Sequence, residues 1–295
     1  MGRRLPATNG TLWVEGLGAP VTIRRDAFGI PHVEAGSQGD AAFALGFCHG
    51  QDRSFQLEML LRAGRGTVAE LVGAEALPID RLARRIGFHR AARASWERED
   101  DAARTLVRAY VGGVNAARRR RPHELALLRR DPTPWEPEDV GAVLGVIALG
   151  LSANWDVELG RLRVLEHDGE DALRAVDPAY PDWLAVVSAP GTPAGTALDR
   201  LDEDLAALAG HVGGGGSNNW ALAGSRTASG RPQVANDPHL SPTLPCFWYL
   251  AHVRCPEWEV AGASVPGAPA VAVGHNDDVA WGVTNSGADV VDLFL

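Results

Sequence analysis

The sequence predicts an α+β fold, with helices concentrated in the first part of the chain and strands in the second. Helical periodicity and caps dominate residues 38–176, and the composition becomes loop-like between 189 and 216. After Ser217 short apolar runs alternate with Gly, Pro and Asn-Asp turns, which is typical of strands. A helical part followed by a β-rich part favours α+β or layered α/β packing over alternating βαβ units.

Composition limits the classes of protein to consider. The 295 residues are 45% hydrophobic and carry a net charge of −9, so they can fill one large core or two of ordinary size. Generic binding to nucleic acid or to an anionic membrane is disfavoured by that charge. The basic N-terminus precedes no apolar run, and no run is long enough to cross a bilayer. We therefore expect a cytoplasmic protein, or a periplasmic or secreted one where a leader has been removed.

The first part begins with two short predicted strands, at 12–14 and 21–24. Ser37 to Asp40 has the capping-box pattern and opens a predicted helix that runs to about Met59. Gly64 and Gly66 interrupt the helical pattern, and a further helix is predicted at 68–72.

Between about 80 and 130 the chain is charged and helical, and it contains four successive arginines at 118–121. They follow a helical segment and precede Pro122, which indicates a solvated helix end and not a nucleic-acid patch. An apolar helix is predicted at 140–151, with more helix to about Val176.

The second part contains predicted strands at 220–223, 248–253, 258–261 and 271–273. The segment before it combines a loop at 190–195 with an acidic amphipathic stretch at 198–208. The spacing of the three cysteines matches neither a disulfide framework nor a zinc-ligand pattern. A single Cys246–Cys255 disulfide is left as an alternative.

The four glycines at 213–216 end abruptly at Ser217. Alone, such a run is typical of a linker. It is not a phosphate-binding loop, a dinucleotide fingerprint or a G-x-S-x-G elbow, because the residues after it do not match those motifs. Gly216 would not obstruct attack on its carbonyl, and cleavage there would give Ser217 a free α-amine that can act as the base of its own hydroxyl. Such an amine titrates near pH ~8.

Several motifs, in order along most of the chain, decide between these readings. They are 26–35 (DAFGIPHVEA), 41–53 (AAFALGFCHGQDR), 110–116 (YVGGVNA), 135–140 (WEPEDV), 216–220 (GSNNW), 236–239 (NDPH), 274–276 (GHN) and 281–294 (WGVTNSGADVVDLF). Together they resemble the penicillin acylase family of N-terminal-nucleophile hydrolases. At His239 the sequence resembles cephalosporin and acyl-homoserine-lactone acylases, since penicillin G acylases carry Gln there.

The resemblance implies a four-layer αββα sandwich with a helical first subunit wrapped around it. It also implies a precursor that cuts itself between Gly216 and Ser217 and loses a spacer. We accordingly expect an α-subunit-like region at 1–190, a spacer at 191–216 and the start of a β subunit at 217–295, which makes the fold incomplete. The processed chains would form a heterodimer.

The resemblance also implies the roles of individual residues. Ser217 would be the nucleophile, His239 would orient it or relay a proton, and the backbone at Asn285 or its neighbour would donate to the oxyanion. A second donor, an Asn side chain, would lie beyond Leu295. Asp289, the Val291 carbonyl and Asp292, with Glu158 from the first part, match calcium ligands, and oxygen ligands suit one structural Ca²⁺. No organic cofactor is expected.

The sequence therefore predicts an amidohydrolase precursor that acts on small N-acyl amides through an acyl-enzyme on Ser217. The alternative is a truncated, catalytically inactive homologue that lacks the downstream oxyanion-hole Asn. A nucleotide-binding protein built on the glycine run is disfavoured by the failed motifs.

Overall fold

The computed structural model describes residues 5–119, 121–152, 155–176 and 216–285. Within these ranges the α-helices are α1 (Gln38–Asp52), α2 (Ser54–Arg65), α3 (Ala69–Val72), α4 (Leu77–Ile86), α5 (Phe88–Trp96), α6 (Asp101–Ala117), α7 (His123–Leu127), α8 (Pro137–Ser152) and α9 (Trp155–Val176). The strands are β1 (Thr22–Arg25), β2 (Pro31–Glu34), β3 (Ser217–Leu222), β4 (Gln233–Pro238), β5 (Tyr249–Arg254), β6 (Glu259–Ser264), β7 (Val271–His275) and β8 (Ala280–Trp281). The α+β class is confirmed.

One six-stranded sheet joins the two parts of the chain. Its strand order is β1-β2-β5-β6-β7-β8, and its neighbours are antiparallel except for β2 and β5, which run parallel. At this junction Val33 pairs with Val253, and both side chains are buried. The predicted strands at 21–24, 248–253, 258–261 and 271–273 all fall in this sheet, each within a few residues of the observed bounds.

Strands β3 and β4 form a separate antiparallel pair, with Ser217 opposite Pro238 and Leu222 opposite Gln233. Most residues of both strands are exposed. The part of the chain that the structure describes thus holds a helical layer, one large sheet and this hairpin.

The helical layer is built on a close crossing of α1 and α6. Helix α1 begins as predicted at the Ser37 cap, whose hydroxyl accepts from the Asp40 backbone N–H. Gly46 and Gly113 lie where the two helices meet. A Cβ at Gly46 would overlap the Tyr110 carbonyl, and one at Gly113 would overlap the Phe43 carbonyl. Only glycine allows the two backbones to approach so closely, and α1 then packs against β2 and β5.

Three local predictions differ from the structure. The stretch to Met59 is helical as predicted, but it forms two helices with a break at Arg53, whose guanidinium donates to the carbonyl of Cys246 at 2.8 Å. Gly64 does not interrupt α2, since it lies inside that helix and provides room for Ala142 of α8. Residues 12–14 form no strand. The contacts of Arg53 and Gly64 are with residues distant in sequence, which local patterns do not report.

The prediction that the four arginines at 118–121 form a solvated helix end was wrong for Arg118. Arg118 is buried and forms an ion pair with Glu58, which is buried as well. Thr133 donates to Glu58 from its backbone N–H at 3.0 Å and from its hydroxyl at 2.6 Å, and Arg62 Nε donates at 2.8 Å. Burial alone would raise the pKa of the Glu58 carboxyl, but the Thr133 hydrogen bonds and the Arg118 charge hold it below its ordinary value. This ionised carboxylate fixes α2, α6 and the loop before α8 to one another.

A second buried network surrounds His49. Its Nε2 lies 2.9 Å from Ser264 Oγ and its Nδ1 lies 2.7 Å from the Tyr110 hydroxyl. Ser264 donates to the Tyr249 carbonyl and Gly267 N donates to the Tyr110 hydroxyl, so Ser264 accepts from His49 and Tyr110 donates to it. The network thus assigns a neutral imidazole with its proton on Nε2. Burial, with a contribution from the Arg53 charge, lowers the pKa of His49 to about 3.

Several sequence features complete the description. The three cysteines are free thiols, which leaves no Cys246–Cys255 bridge. Among the helices of the described ranges, none combines the length and the apolar character that a membrane span requires. The loop predicted at 190–195 and the acidic stretch at 198–208 lie outside the described residues.

Replacing Gly113 with Ala tests the helix crossing. Because the new methyl group would force α6 away from α1, we expect the free energy of unfolding to fall by at least about 2 kcal/mol in denaturant titrations. Gly39→Ala is the control, since it lies in α1 and its Cβ would meet only Ser37 Oγ at 3.9 Å. That variant should be neutral or more stable by about 0.5–1 kcal/mol. Equal effects of the two substitutions would contradict the packing argument.

The pH dependence of stability tests the His49 network. The folded-state pKa of about 3 lies below the ordinary value of 6.5, so stability is complete above about pH 6.5 and is lost as the pH falls towards 3. Between pH 7 and pH 5 the titration of His49 lowers the free energy of unfolding by about 2 kcal/mol, because only the unfolded chain takes up the proton. In His49→Gln the free energy of unfolding should therefore fall by about 2 kcal/mol less over this pH range than in wild type. An unchanged slope would refute the assignment.

Candidate active site

Ser217 occupies the first position of β3, directly after the glycine run. The ladder with β4 continues one residue upstream, because the His239 backbone N–H donates to the Gly216 carbonyl at 2.8 Å. The Gly216–Ser217 peptide is therefore held extended by the hairpin, with a hydrogen-bond donor on the carbonyl oxygen of that bond. Gly216 itself is exposed.

The His239 side chain is oriented by Asp237. Its Nε2 lies 2.8 Å from Asp237 Oδ2, and a carboxylate can only accept, so Nε2 carries the proton. In the neutral ring Nδ1 is then an acceptor. It lies 3.3 Å from the position that a Cβ on Gly216 would occupy, so the acceptor nitrogen is turned towards the Gly216–Ser217 junction.

The Ser217 hydroxyl contacts Thr284, which follows β8. The two hydroxyl oxygens are 2.6 Å apart, and Thr284 Oγ1 is also 3.3 Å from the Ser217 carbonyl oxygen. Among the described residues, Ser217 is partly exposed and Thr284 is exposed.

Asn236 fixes the segment that carries Thr284. Its Nδ2 donates to the carbonyls of Asn218 at 2.8 Å and Val283 at 2.9 Å, and its Oδ1 accepts from the Val283 N–H at 3.1 Å. The side-chain amide thus pairs with Val283 as a neighbouring strand would. Gly282 makes the approach possible, since a Cβ there would lie 2.8 Å from both Asn219 Oδ1 and Asn236 Cβ.

Asn285 links the same segment to the helical part. Its Nδ2 donates to the Leu151 carbonyl at 2.7 Å, in the last turn of α8. The carbonyls of a last helical turn lack intrahelical partners, so this contact caps α8. The consecutive residues Thr284 and Asn285 therefore contact Ser217 and the end of α8, respectively.

Of the residues predicted from the sequence, Ser217 and His239 lie together at the start of the hairpin, and Asn285 follows the residue that contacts the serine. Sequence reasoning assigned no role to Asp237, Asn236 or Thr284. All three stand inside the motifs NDPH and WGVTNSGADVVDLF, but their contacts depend on strand register.

The predicted calcium ligands are only partly described. Asp289, Val291 and Asp292 lie outside the described residues. Glu158 is in α9, and its Oε1 accepts from Arg161 Nη1 at 2.7 Å. Across the described ranges no cluster of three or more His, Cys, Asp or Glu side chains is arranged to hold a metal ion.

Ser217 thus lies at the start of an antiparallel hairpin, directly after a glycine run, in an α+β fold. These features can be compared with those of known protein families. The penicillin amidase family model matches residues 20–295. The chain therefore belongs to the penicillin amidase family, which confirms the resemblance inferred from the motifs.

Curated relatives agree with this assignment. The penicillin acylase 2 proenzyme of Pseudomonas sp. (strain SE83) is 39% identical over 311 aligned positions, which cover 99% of this chain and 39% of that protein. The acyl-homoserine lactone acylase QuiP of Pseudomonas aeruginosa is 35% identical over 304 positions, covering 99% of this chain and 36% of that protein. The chain thus spans less than two fifths of the length of these two relatives.

Among solved structures, a thermostable penicillin G acylase from Alcaligenes faecalis is similar to this chain. The sequence identity is 27%, and the match covers 59% of this chain and 96% of that one with a TM-score of 0.47.

Proposed function

We propose that this chain belongs to a self-cleaving acylase that hydrolyses small N-acyl amides, with Ser217 as its nucleophile. The observation that carries the proposal is the Gly216–Ser217 peptide. Its carbonyl oxygen is bound by the His239 N–H, its hydroxyl nucleophile is on the adjacent residue, and no side chain on Gly216 obstructs the carbonyl. Membership of the penicillin amidase family supports the same reaction class.

Self-cleavage follows from the chemistry of this peptide. Ser217 Oγ attacks the Gly216 carbonyl carbon, a C–O bond forms and the Gly216–Ser217 C–N bond breaks. The hydroxyl proton ends on the departing Ser217 nitrogen. The His239 N–H donates to the oxygen that becomes negative, and such a donor typically contributes a factor of ~10²–10³ in rate. Water then hydrolyses the ester, giving a Gly216 carboxyl group and a free Ser217 hydroxyl.

The freed serine has the two groups that amide hydrolysis needs. Its α-amine, which titrates near pH ~8, accepts the hydroxyl proton as Oγ attacks the substrate carbonyl. The leaving amine takes up that proton, and an acyl ester remains on Ser217. Water hydrolyses the ester and restores the hydroxyl. The chain's own backbone N–H at Asn285 or its neighbour is the proposed donor to the oxyanion.

His239 acts in this proposal as a proton relay beside the junction. The Asp237 carboxylate holds the proton on Nε2, so the acceptor Nδ1 faces Gly216. This arrangement orients the imidazole in the way that a carboxylate orients the general base of a hydrolase.

The substrate class and the assembly are proposed on the same basis. The two relatives are named for penicillin and for acyl-homoserine lactones, and both names describe acylases. We propose a small linear N-acyl amide as substrate and a heterodimer of the two processed chains as the active form. The parallel pairing of β2 with β5 would hold those chains together after cleavage.

Ser217→Ala tests both steps in the purified full-length protein. The wild-type protein should yield a chain whose N-terminus is Ser217, and the alanine variant should stay uncut because it has no hydroxyl to attack Gly216. Intact-mass spectrometry and N-terminal sequencing measure the outcome. Ser217→Cys is the matched control, since a thiol is also a nucleophile and should restore cleavage at the same bond.

The inactive-homologue alternative predicts a different result. An intact wild-type chain that releases no amine from penicillin G, a cephalosporin or an N-acyl-homoserine lactone would sink the proposed function. Cleavage before Ser217 together with amine release from one of these substrates would support it.

We further propose one structural Ca²⁺ held by Glu158, Asp289, the Val291 carbonyl and Asp292. These ligands are all oxygen donors, and such sets suit this ion. Arg161, which now binds Glu158 Oε1, would have to share that carboxylate. We expect about one Ca²⁺ per molecule by elemental analysis and a lower midpoint of thermal unfolding in chelator. Metal-free protein with an unchanged midpoint would contradict this site.

A further inference from the structure

The hydroxyl of Thr284 can form two different hydrogen bonds with Ser217. It lies 2.6 Å from Ser217 Oγ and 3.3 Å from the Ser217 carbonyl oxygen. A hydroxyl has one proton and two acceptor sites, so Thr284 can donate to only one of these oxygens at a time. The geometry therefore permits two proton arrangements.

In the first arrangement Ser217 donates to Thr284, and Thr284 donates to the Ser217 carbonyl. The serine proton is then engaged with another hydroxyl, which is a poor base. In the second arrangement Thr284 donates to Ser217 Oγ. The serine proton is then released towards a base, and the donated hydrogen bond stabilises negative charge on Oγ. A rotation of the Thr284 hydroxyl, coupled to that of the Ser217 hydroxyl, converts one arrangement into the other.

The backbone around Thr284 keeps this hydroxyl in place. Val283 forms two hydrogen bonds with the Asn236 side-chain amide, at 2.9 and 3.1 Å, and the same amide also donates to the Asn218 carbonyl at 2.8 Å. Asn285 is held on the other side by the Leu151 carbonyl at 2.7 Å. Thr284 thus stands between two anchored residues, so its alignment with Ser217 does not depend on its own contacts alone.

We propose that Thr284 is a positioning residue for the nucleophile, which aligns Ser217 Oγ and donates a hydrogen bond to it as the serine proton leaves. The proposal rests on the function proposed above, because it concerns the same serine. The step adds no reactant. In turnover the Ser217 proton passes to the Ser217 α-amine, and in self-cleavage it ends on the departing Ser217 nitrogen, while the Thr284 proton stays on Thr284 and its hydrogen bond to Oγ shortens. The residue serves self-cleavage and turnover alike, since both begin with loss of this proton.

Thr284→Val and Thr284→Ser form a matched pair for the test. Valine keeps the branched shape and removes the hydroxyl, whereas serine keeps the hydroxyl and removes the methyl group. In the full-length protein we expect valine to slow the appearance of the Ser217 N-terminus by ~10² or more, the typical effect of losing a donor to a developing oxyanion. Serine should stay within ~10-fold of wild type.

The processed enzyme supplies a second readout. For turnover of an N-acyl amide, valine should lower kcat with little change in KM, because the hydroxyl contacts the nucleophile and not the substrate. Thermal unfolding should be similar for wild type and both variants. Should valine fail to fold, Thr284→Ala also lacks the hydroxyl, and the same loss of rate is expected from it.

The outcomes separate this inference from the proposed function. A wild-type chain that never cleaves before Ser217 overturns the function itself. Normal cleavage by wild type with an unchanged rate in the hydroxyl-free variants overturns the role of Thr284 alone. Equal slowing by valine and serine would also overturn it, since only the shape of the side chain would then matter.

Discussion

The parallel pairing of β2 with β5 is the interaction on which the rest of the molecule depends. It inserts two strands from the first part of the chain into a sheet otherwise made by the second. Val33 and Val253 are buried at this pairing, where α1 packs against the sheet. Tyr249 of β5 donates to Asp52 at the end of α1, and Asp52 also binds Arg25 of β1. The helical layer and the large sheet are thereby joined to each other.

Buried polar groups make this arrangement specific. The carboxylate of Glu58 and the imidazole of His49 are both fully buried, and both have hydrogen-bond partners on each polar atom of the side chain. Leaving a buried polar group unpaired costs about 1–3 kcal/mol, and more for a charged group. A misplaced helix would break several of these bonds at once, so the networks disfavour alternative packings of α1, α2 and α6.

The sequence predicted those features that depend on residues close together along the chain. The Ser37 cap and the strands of the large sheet were found from capping chemistry and apolar runs, and Ser217 and His239 from their motifs. The break at Arg53 and the burial of Arg118 were missed because both arginines bind groups far away in the sequence. Thr284 and Asn236 were inside quoted motifs, yet their roles became visible only through the register of β3 with β4 and the course of 281–285. The sequence therefore predicted Ser217 as the nucleophile, and the structure shows which residues contact it.

The hydrogen bond from the His239 N–H to the Gly216 carbonyl has a consequence for the order of events after cleavage. In the proposed reaction that carbonyl becomes a carboxylate, and a backbone N–H binds an anionic acceptor more strongly than a neutral one. The new chain end would remain attached beside Ser217 and occupy the space that an incoming acyl group requires. Departure of the glycine-rich tail, and not the breaking of the peptide bond, would then mark the moment at which the enzyme becomes active.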